Sequence, residues 1–165
     1  MKKVLYPGSF DPITKGHMNI IDKSLNLFDE VVVGVLVNPN KKNYFFDFDE
    51  RLELIKELYK DDKKVTVVKS DLAAVDVAIE NNCSGIIRGL RGVTDFDYEI
   101  SLSQINKDIS DGKVNTVCLF ADSNYSFLSS SMVKEVFNLG KDISLYVDSE
   151  VKNKMEQKKV LKNGS

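Results

Sequence analysis

The chain has 165 residues, enough for one domain with a substantial core, and residues 1–157 are expected to form it. Its 23 basic and 25 acidic side chains leave a formal charge of −2, without the broad basic field of a nucleic-acid binder, so any anionic ligand should be small and held locally. No apolar run approaches the roughly 20 residues needed to cross a bilayer. Met1-Lys2-Lys3 leads into a short strand rather than a signal-peptide core, so a cytoplasmic protein without a membrane partner is expected. Cys83 and Cys118 are isolated thiols and His17 is the single histidine, which suggests neither a disulfide framework nor a zinc site.

In chain order, Val4-Leu5-Tyr6 is an apolar run that ends in Pro7-Gly8, a strand followed by a loop. The loop carries Ser9 and Thr14, and Gly16-His17 opens a helix with Met18, Ile21, Leu25 and Phe28 on one face. Val31 to Val37 is a nearly continuous β-branched run, which fits a strand buried on both faces of a parallel sheet. It ends at Asn38-Pro39-Asn40-Lys41-Lys42. Asp47 with Glu50 has capping-box spacing for a helix burying Leu52, Ile55 and Leu58.

Val65 to Val68 is the third strand and Leu72 to Asn81 a helix. Gly85-Ile86-Ile87 is a fourth strand that delivers Arg88 to its carboxyl end. A long helix is expected from near Asp95, with Tyr98, Leu102, Ile105 and Ile109 on one face. Asn115 to Phe120 is the fifth strand, Ser129-Ser130-Ser131 starts a helix, and Asp148 or Ser149 caps a last one to about Gln157. Residues 158–165 are expected to fray as a solvated tail. Strands alternating with helices predict an α/β, Rossmann-like doubly wound domain, a five-stranded parallel sheet with helices on both faces. Its ligand belongs at the carboxyl ends of the strands, where the strand order reverses.

A helix start presents free N–H groups and the positive end of its dipole, so an anion is readily held there. An imidazole in that field can donate a hydrogen bond to charge that grows during phosphoryl or nucleotidyl transfer, and Gly16 lets the backbone approach. On residue type alone, Lys41 is equally an ordinary loop lysine, Arg91 a partner of Asp95 or Glu99, and the serine run a plain helix cap. Asp95 reads as a helix N-cap and Tyr98 as a core aromatic. Arg88, emerging from a buried strand, is better explained by a phosphate ligand than by a salt bridge.

Gly8-Ser9-Phe10-Asp11-Pro12-x-Thr14-x-Gly16-His17 resembles the Thr-x-Gly-His signature of small nucleotidyltransferases related to class I aminoacyl-tRNA synthetases. With Ile87-Arg88-Gly89-Leu90-Arg91, Asp95 to Glu99, and Tyr125 to Glu135, the chain is similar from Lys3 to about Met155 to the bacterial phosphopantetheine adenylyltransferase family. The resemblance implies transfer of an adenylyl group from ATP to 4′-phosphopantetheine, giving dephospho-CoA and pyrophosphate, with Mg²⁺ as cofactor and a homohexameric assembly.

It also implies site residues. His17 and Ser9 would steady the transition state at the α-phosphate, and Lys41 and Arg88 would hold the substrate phosphate. Ser9, Phe10, His17, Gly89, Leu90, Arg91 and Glu99 would contact ATP, while Tyr125, Ser126, Phe127, Leu128, Ser129, Ser130 and Ser131 would wrap the nucleotide. Ser9, Ala74 and Arg88 would line the pantetheine arm, Ala74 being smaller than the residue common there and equally readable as a helix-core alanine. Two rivals stand beside this reading: a superfamily transferase acting on another phosphate, and a non-catalytic nucleotide sensor on the same fold.

Overall fold

The structure, a computed structural model, describes residues 1–92 and 96–164. Strands and helices alternate: β1 (Lys3–Gly8), α1 (Lys15–Leu27), β2 (Glu30–Leu36), α2 (Phe48–Leu58), β3 (Val65–Ser70), α3 (Ala74–Glu80), β4 (Gly85–Leu90), α4 (Phe96–Ile109), β5 (Asn115–Phe120), α5 (Ser130–Asn138) and α6 (Ser149–Asn163). All strand pairs are parallel, in the order β3-β2-β1-β4-β5, so the winding reverses between β1 and β4.

Side chains on the central strands divide with period two between two cores. Val4, Tyr6, Val31, Val33, Val35 and Ile87 pack on one face with Ile20 and Ile21 of α1, Ile55 of α2, Val133 of α5 and Val151 and Met155 of α6. Leu5, Val32 and Ile86 pack on the other with Val75, Val77 and Ala78 of α3. The β-branched run of β2 is therefore covered on both sides, as a central parallel strand must be.

β1 and β2 stay in register over the full strand, from Lys3↔Glu30 to Gly8↔Val35. β1 and β4 pair only at Val4↔Gly85 and Leu5↔Ile86. Beyond Leu5 these two strands part, and Pro7 has no amide N–H to offer a neighbour. The sheet thus opens at its carboxyl end along the line where its winding reverses.

Three expectations are corrected. β4 runs through Leu90, so Arg88 lies within the strand rather than past its end. Tyr98 is 66% exposed and is no core aromatic, and Ile105 and Ile109 are exposed as well. The buried residues of α4 are instead Glu99 and Asn106, because the helix leans on the edge strand β5 and turns its apolar stripe outward. Asp95, the expected N-cap, lies outside the described residues.

The third correction concerns the expected frayed segment, which is helical through Asn163. Lys158 pairs with Glu50 and sits over the Phe46 ring, Lys159 lies 5.0 Å from the Phe137 centroid, and Lys162 lies 5.2 Å from that of Phe45. Apolar lysine stems laid on aromatic faces hold this last turn and a half. Deleting residues 158–165 should therefore lower stability by about 1–3 kcal/mol, read as a lower urea midpoint; a solvated tail would leave the midpoint unchanged.

Candidate active site

The crevice over the parted strands is a cavity of ≈ 480 Å³. From β1 and the loop after it come Tyr6, Ser9, Phe10 and Thr14, from α1 Gly16, His17 and Ile20, and from the loop after β2 Asn38 and Lys41. β4 contributes Ile87, Arg88 and Gly89, followed by Arg91; Ala121 and Tyr125 follow β5, and Leu128 to Ser131 lead into α5. Two helix N-termini, those of α1 and α5, thus open on one space. Among the described residues that line it are three cations, Lys41, Arg88 and Arg91, and no carboxylate.

Phe10 stands in the left-handed region at φ 46°, held there by burial of its ring against Tyr6 and edge-on to His17. Two positions earlier only glycine fits: a Cβ on Gly8 would lie 2.9 Å from the Phe10 ring. This packing fixes the loop that lines the crevice, Phe10 included.

His17 closes α1 with Thr14 in a reciprocal cap. Thr14 Oγ1 accepts the His17 N–H at 3.4 Å, and the Thr14 backbone N–H donates to His17 Nδ1 at 3.0 Å. An accepting Nδ1 places the imidazole proton on Nε2. Burial, reinforced by Arg91 and Lys41, lowers the His17 pKa to about 4, so the ring is a neutral donor near pH 7.

Lys41 Nζ donates to Ser9 Oγ at 2.8 Å. Burial lowers the Lys41 pKa, the Lys134 charge lowers it further, and Asp11 opposes both. Asp11 is fully buried and accepts from Phe45 N and Phe46 N at 2.8 Å each and from Lys134 Nζ at 3.0 Å. These bonds tie the Lys41 loop and α5 to the loop after β1. Ser129 Oγ accepts from Met132 N at 3.2 Å as the α5 cap, and Ser130 Oγ donates to the Pro12 carbonyl at 2.8 Å, joining the second helix tip to the same loop.

Arg88 does make the salt bridge that the sequence argued against. Its Nε and Nη2 donate to the Glu99 carboxylate at 2.8–3.0 Å. Glu99 is 6% exposed, and a carboxylate so far from water needs a cation. Arg88 still lines the cavity, but Glu99 does not. Of the two partners considered for Arg91, Glu99 is bonded to Arg88 and Asp95 lies outside the described residues.

Other expected residues also stand off the cavity. Ala74 is the first residue of α3 and packs against the opposite core. Leu90 is buried, Phe127 is 52% exposed and stands edge-on to Tyr146, and Ser126 Oγ donates to the Ser123 carbonyl. None of these three lines the crevice. Tyr6, Asn38 and Ile20 do, although sequence reasoning did not select them. Asn38 could have been found as the first polar residue past a buried strand, and Tyr6 as the polar-tipped member of an apolar run.

Because the folded protein resists protonation of His17 while the unfolded chain titrates near 6.5, protons bind preferentially to the unfolded state between about pH 6.5 and 4. The stability associated with the neutral ring is present above 6.5 and lost as pH falls toward 4. In urea titrations across that range, the stability advantage of wild type over His17→Gln should shrink as pH is lowered. A constant difference would show that the ring is not held neutral.

Residues 5–136 match the cytidylyltransferase-like family. The chain is 42% identical over 159 residues to the phosphopantetheine adenylyltransferase of Lactobacillus gasseri, covering 96% of this chain and 95% of that one. It is 44% identical to that of Finegoldia magna, with coverages of 94% and 95%, and 45% identical to that of Clostridium kluyveri, with 92% and 91%. Among solved structures, a putative nicotinate-nucleotide adenylyltransferase from Vibrio parahaemolyticus shares the fold at a TM-score of 0.64, with 20% identity over 93% of this chain and 91% of that one. A lipopolysaccharide core biosynthesis protein from Thermoplasma volcanium aligns at 0.56, with 25% identity over 74% and 97%. The chain belongs to the cytidylyltransferase-like family and, within it, to the phosphopantetheine adenylyltransferases.

Proposed function

We infer that this nucleotidyltransferase moves the adenylyl group of ATP onto 4′-phosphopantetheine, giving dephospho-CoA and pyrophosphate. The observation that carries the mechanism is the neutral, Nε2-protonated His17 at a helix tip in a crevice lined by cations. In the reaction an oxygen of the 4′-phosphate attacks the α-phosphorus, a new P–O bond forms, and the bond to the bridging oxygen of pyrophosphate breaks. A phosphomonoester has its second pKa near 6, so the nucleophile is largely ionised near neutral pH and needs no general base. Catalysis is then positioning plus neutralisation of charge.

In this reading His17 Nε2–H donates to an oxygen of the α-phosphate as negative charge builds there. Ser9, Lys41 and Arg88 hold the attacking phosphate, with Ser9 already hydrogen-bonded to Lys41. Arg91 and the α5 tip at Ser129, Ser130 and Ser131 grip the triphosphate from the other side. Because Glu99 holds Arg88 through Nε and Nη2, its part here is to orient that guanidinium rather than to touch ATP.

No cluster of three metal-binding side chains occurs among the described residues, and no carboxylate is among the residues named for the cavity. This donor set fits a Mg²⁺ that arrives on the triphosphate and keeps waters, with Ser and Asn38 oxygens within the crevice, rather than a protein-caged ion. Such an ion would screen the charge of the phosphates and the leaving group.

A cytoplasmic location accords with the absence, among the described residues, of a helix long and apolar enough to cross a membrane. Self-association, which the family resemblance gives as a homohexamer, is supported by the exposed apolar side chains of α4 and β5, where Phe96, Tyr98, Ile105, Ile109 and Phe120 are about half to two-thirds exposed.

Incubation with ATP, Mg²⁺ and 4′-phosphopantetheine should release pyrophosphate and form the adenylylated product. His17→Ala should lower kcat by about 10²–10³ with little change in ATP affinity, as expected of a donor used mainly in the transition state. Unchanged turnover would remove His17 from the chemistry. Phe120→Asp should reduce the particle mass seen by analytical ultracentrifugation, whereas an unaltered oligomer would exclude this surface as the interface.

A further inference from the structure

Beneath the crevice, and absent from its lining, lies Arg51 on the first turn of α2. The residue is 2% exposed. Its Nη1 donates to the Ser9 carbonyl at 2.7 Å and its Nε to the Asp47 carbonyl at 3.2 Å. The guanidinium lies 4.2 Å from the Tyr44 ring centroid and 5.2 Å from that of Phe48. Four groups, from two loops and the start of α2 itself, thus surround one planar cation.

Both loops bear substrate-facing residues. On one side, Arg51 holds the backbone of Ser9, whose hydroxyl accepts from Lys41. On the other, it supports Tyr44, whose hydroxyl accepts the Asn38 N–H at 2.9 Å and donates to the Asn38 carbonyl at 3.3 Å. The Lys41 loop is therefore pinned at its start by Tyr44 and at its end by Asp11, which takes the amides of Phe45 and Phe46. Only the Tyr44 pin and the Ser9 carbonyl depend on Arg51. Lysine could supply charge at this place, but not a plane that stacks on Tyr44 while donating in two directions.

We propose that Arg51 is a positioning residue for adenylyl transfer: it sets the distance between the Ser9 loop and the Lys41 loop and so presents Ser9 and Lys41 together to the attacking phosphate. The proposal rests on the functional reading above and adds a residue that touches neither substrate. Misplacing a phosphate-holding lysine by about 1 Å costs rate far more than it costs nucleotide binding.

The test measures pyrophosphate release at saturating ATP and 4′-phosphopantetheine. Arg51→Met should lower kcat about 10- to 100-fold while KM for ATP stays within about 3-fold. In a Lys41→Ala background the same substitution should cost less than about 3-fold more, since its effect passes through Lys41. Ile55→Val, which loosens the same helix from inside the core, should keep wild-type kcat. Wild-type kcat in Arg51→Met, an additive loss in the Lys41→Ala background, or an equal loss in Ile55→Val would each overturn the proposal.

Amide hydrogen exchange gives a readout independent of activity. Arg51→Met should speed exchange at Asn38, whose amide Tyr44 holds, while Phe45, Phe46, β1 and β2 stay protected; unchanged exchange at Asn38, or a rise shared by both strands, would overturn it. Should Arg51→Met fail to fold, Tyr44→Leu keeps the cation and removes the pin, and it should show the same kcat loss; wild-type kcat there would also overturn the proposal. A wild-type chain that releases no pyrophosphate would defeat the functional reading, while the exchange measurement still decides what holds the loop.

Discussion

A carboxylate with no access to water must be given partners, and in this protein the partners of Asp11 are the parts from which the crevice is made. Its two oxygens take two backbone amides from the segment that follows Lys41 and the ammonium of Lys134 on α5. Burial without these bonds would cost several kcal/mol, so the loop after β1, the loop after β2 and the second helix tip are held to one arrangement. Lys134 is spent on Asp11, and Lys41 remains with Ser9 on the open side. The same charge acts at longer range on Lys41 and Arg51, offsetting part of the repulsion in a cation-rich corner.

The crevice built on this anchor separates two electrostatic tasks. Lys41, Arg88, Arg91 and the helix tips face the open space, while the acids sit off it, Asp11 bonded to Lys134 and Glu99 to Arg88. An incoming triphosphate therefore meets positive potential, with no carboxylate among the described residues that line the crevice. His17 belongs to neither group. Its ring is kept neutral by burial and by the cations around it, and its tautomer is set by the backbone of Thr14. A neutral donor of this kind adds little to the binding of a ground-state anion and more to the charge that develops during transfer.

The outer face of α4 and β5 shows how packing can overrule periodicity. The stripe of Tyr98, Ile105 and Ile109 has the spacing of a buried helix face, yet it points away from the sheet and continues across Phe120. The inward positions hold Glu99 and Asn106, because this helix serves the Arg88 guanidinium as well as the core. A single chain leaves that surface uncovered, which accords with self-association.

Composition and pattern alone determined the five strands, the parallel α/β class and the starts of several helices, since these depend on neighbours within a few residues: the β-branched run of β2, Asp47 with Glu50, Ser129 before α5. Place in the pattern drew attention to His17 at a helix start and Arg88 near a strand end, whereas the site roles of Ser9, Lys41 and Ser129 to Ser131 were given by the resemblance of the motifs; all of them line the crevice. Contacts across the chain decided the remainder. Asp11 meets residues 34, 35 and 123 positions away, Arg51 meets Ser9 across 42, and Arg88 pairs with the buried Glu99 while still lining the crevice. Local sequence shows that a buried charge will need a partner, but which partner lies within 3 Å is settled only when the sheet order brings distant loops to one edge.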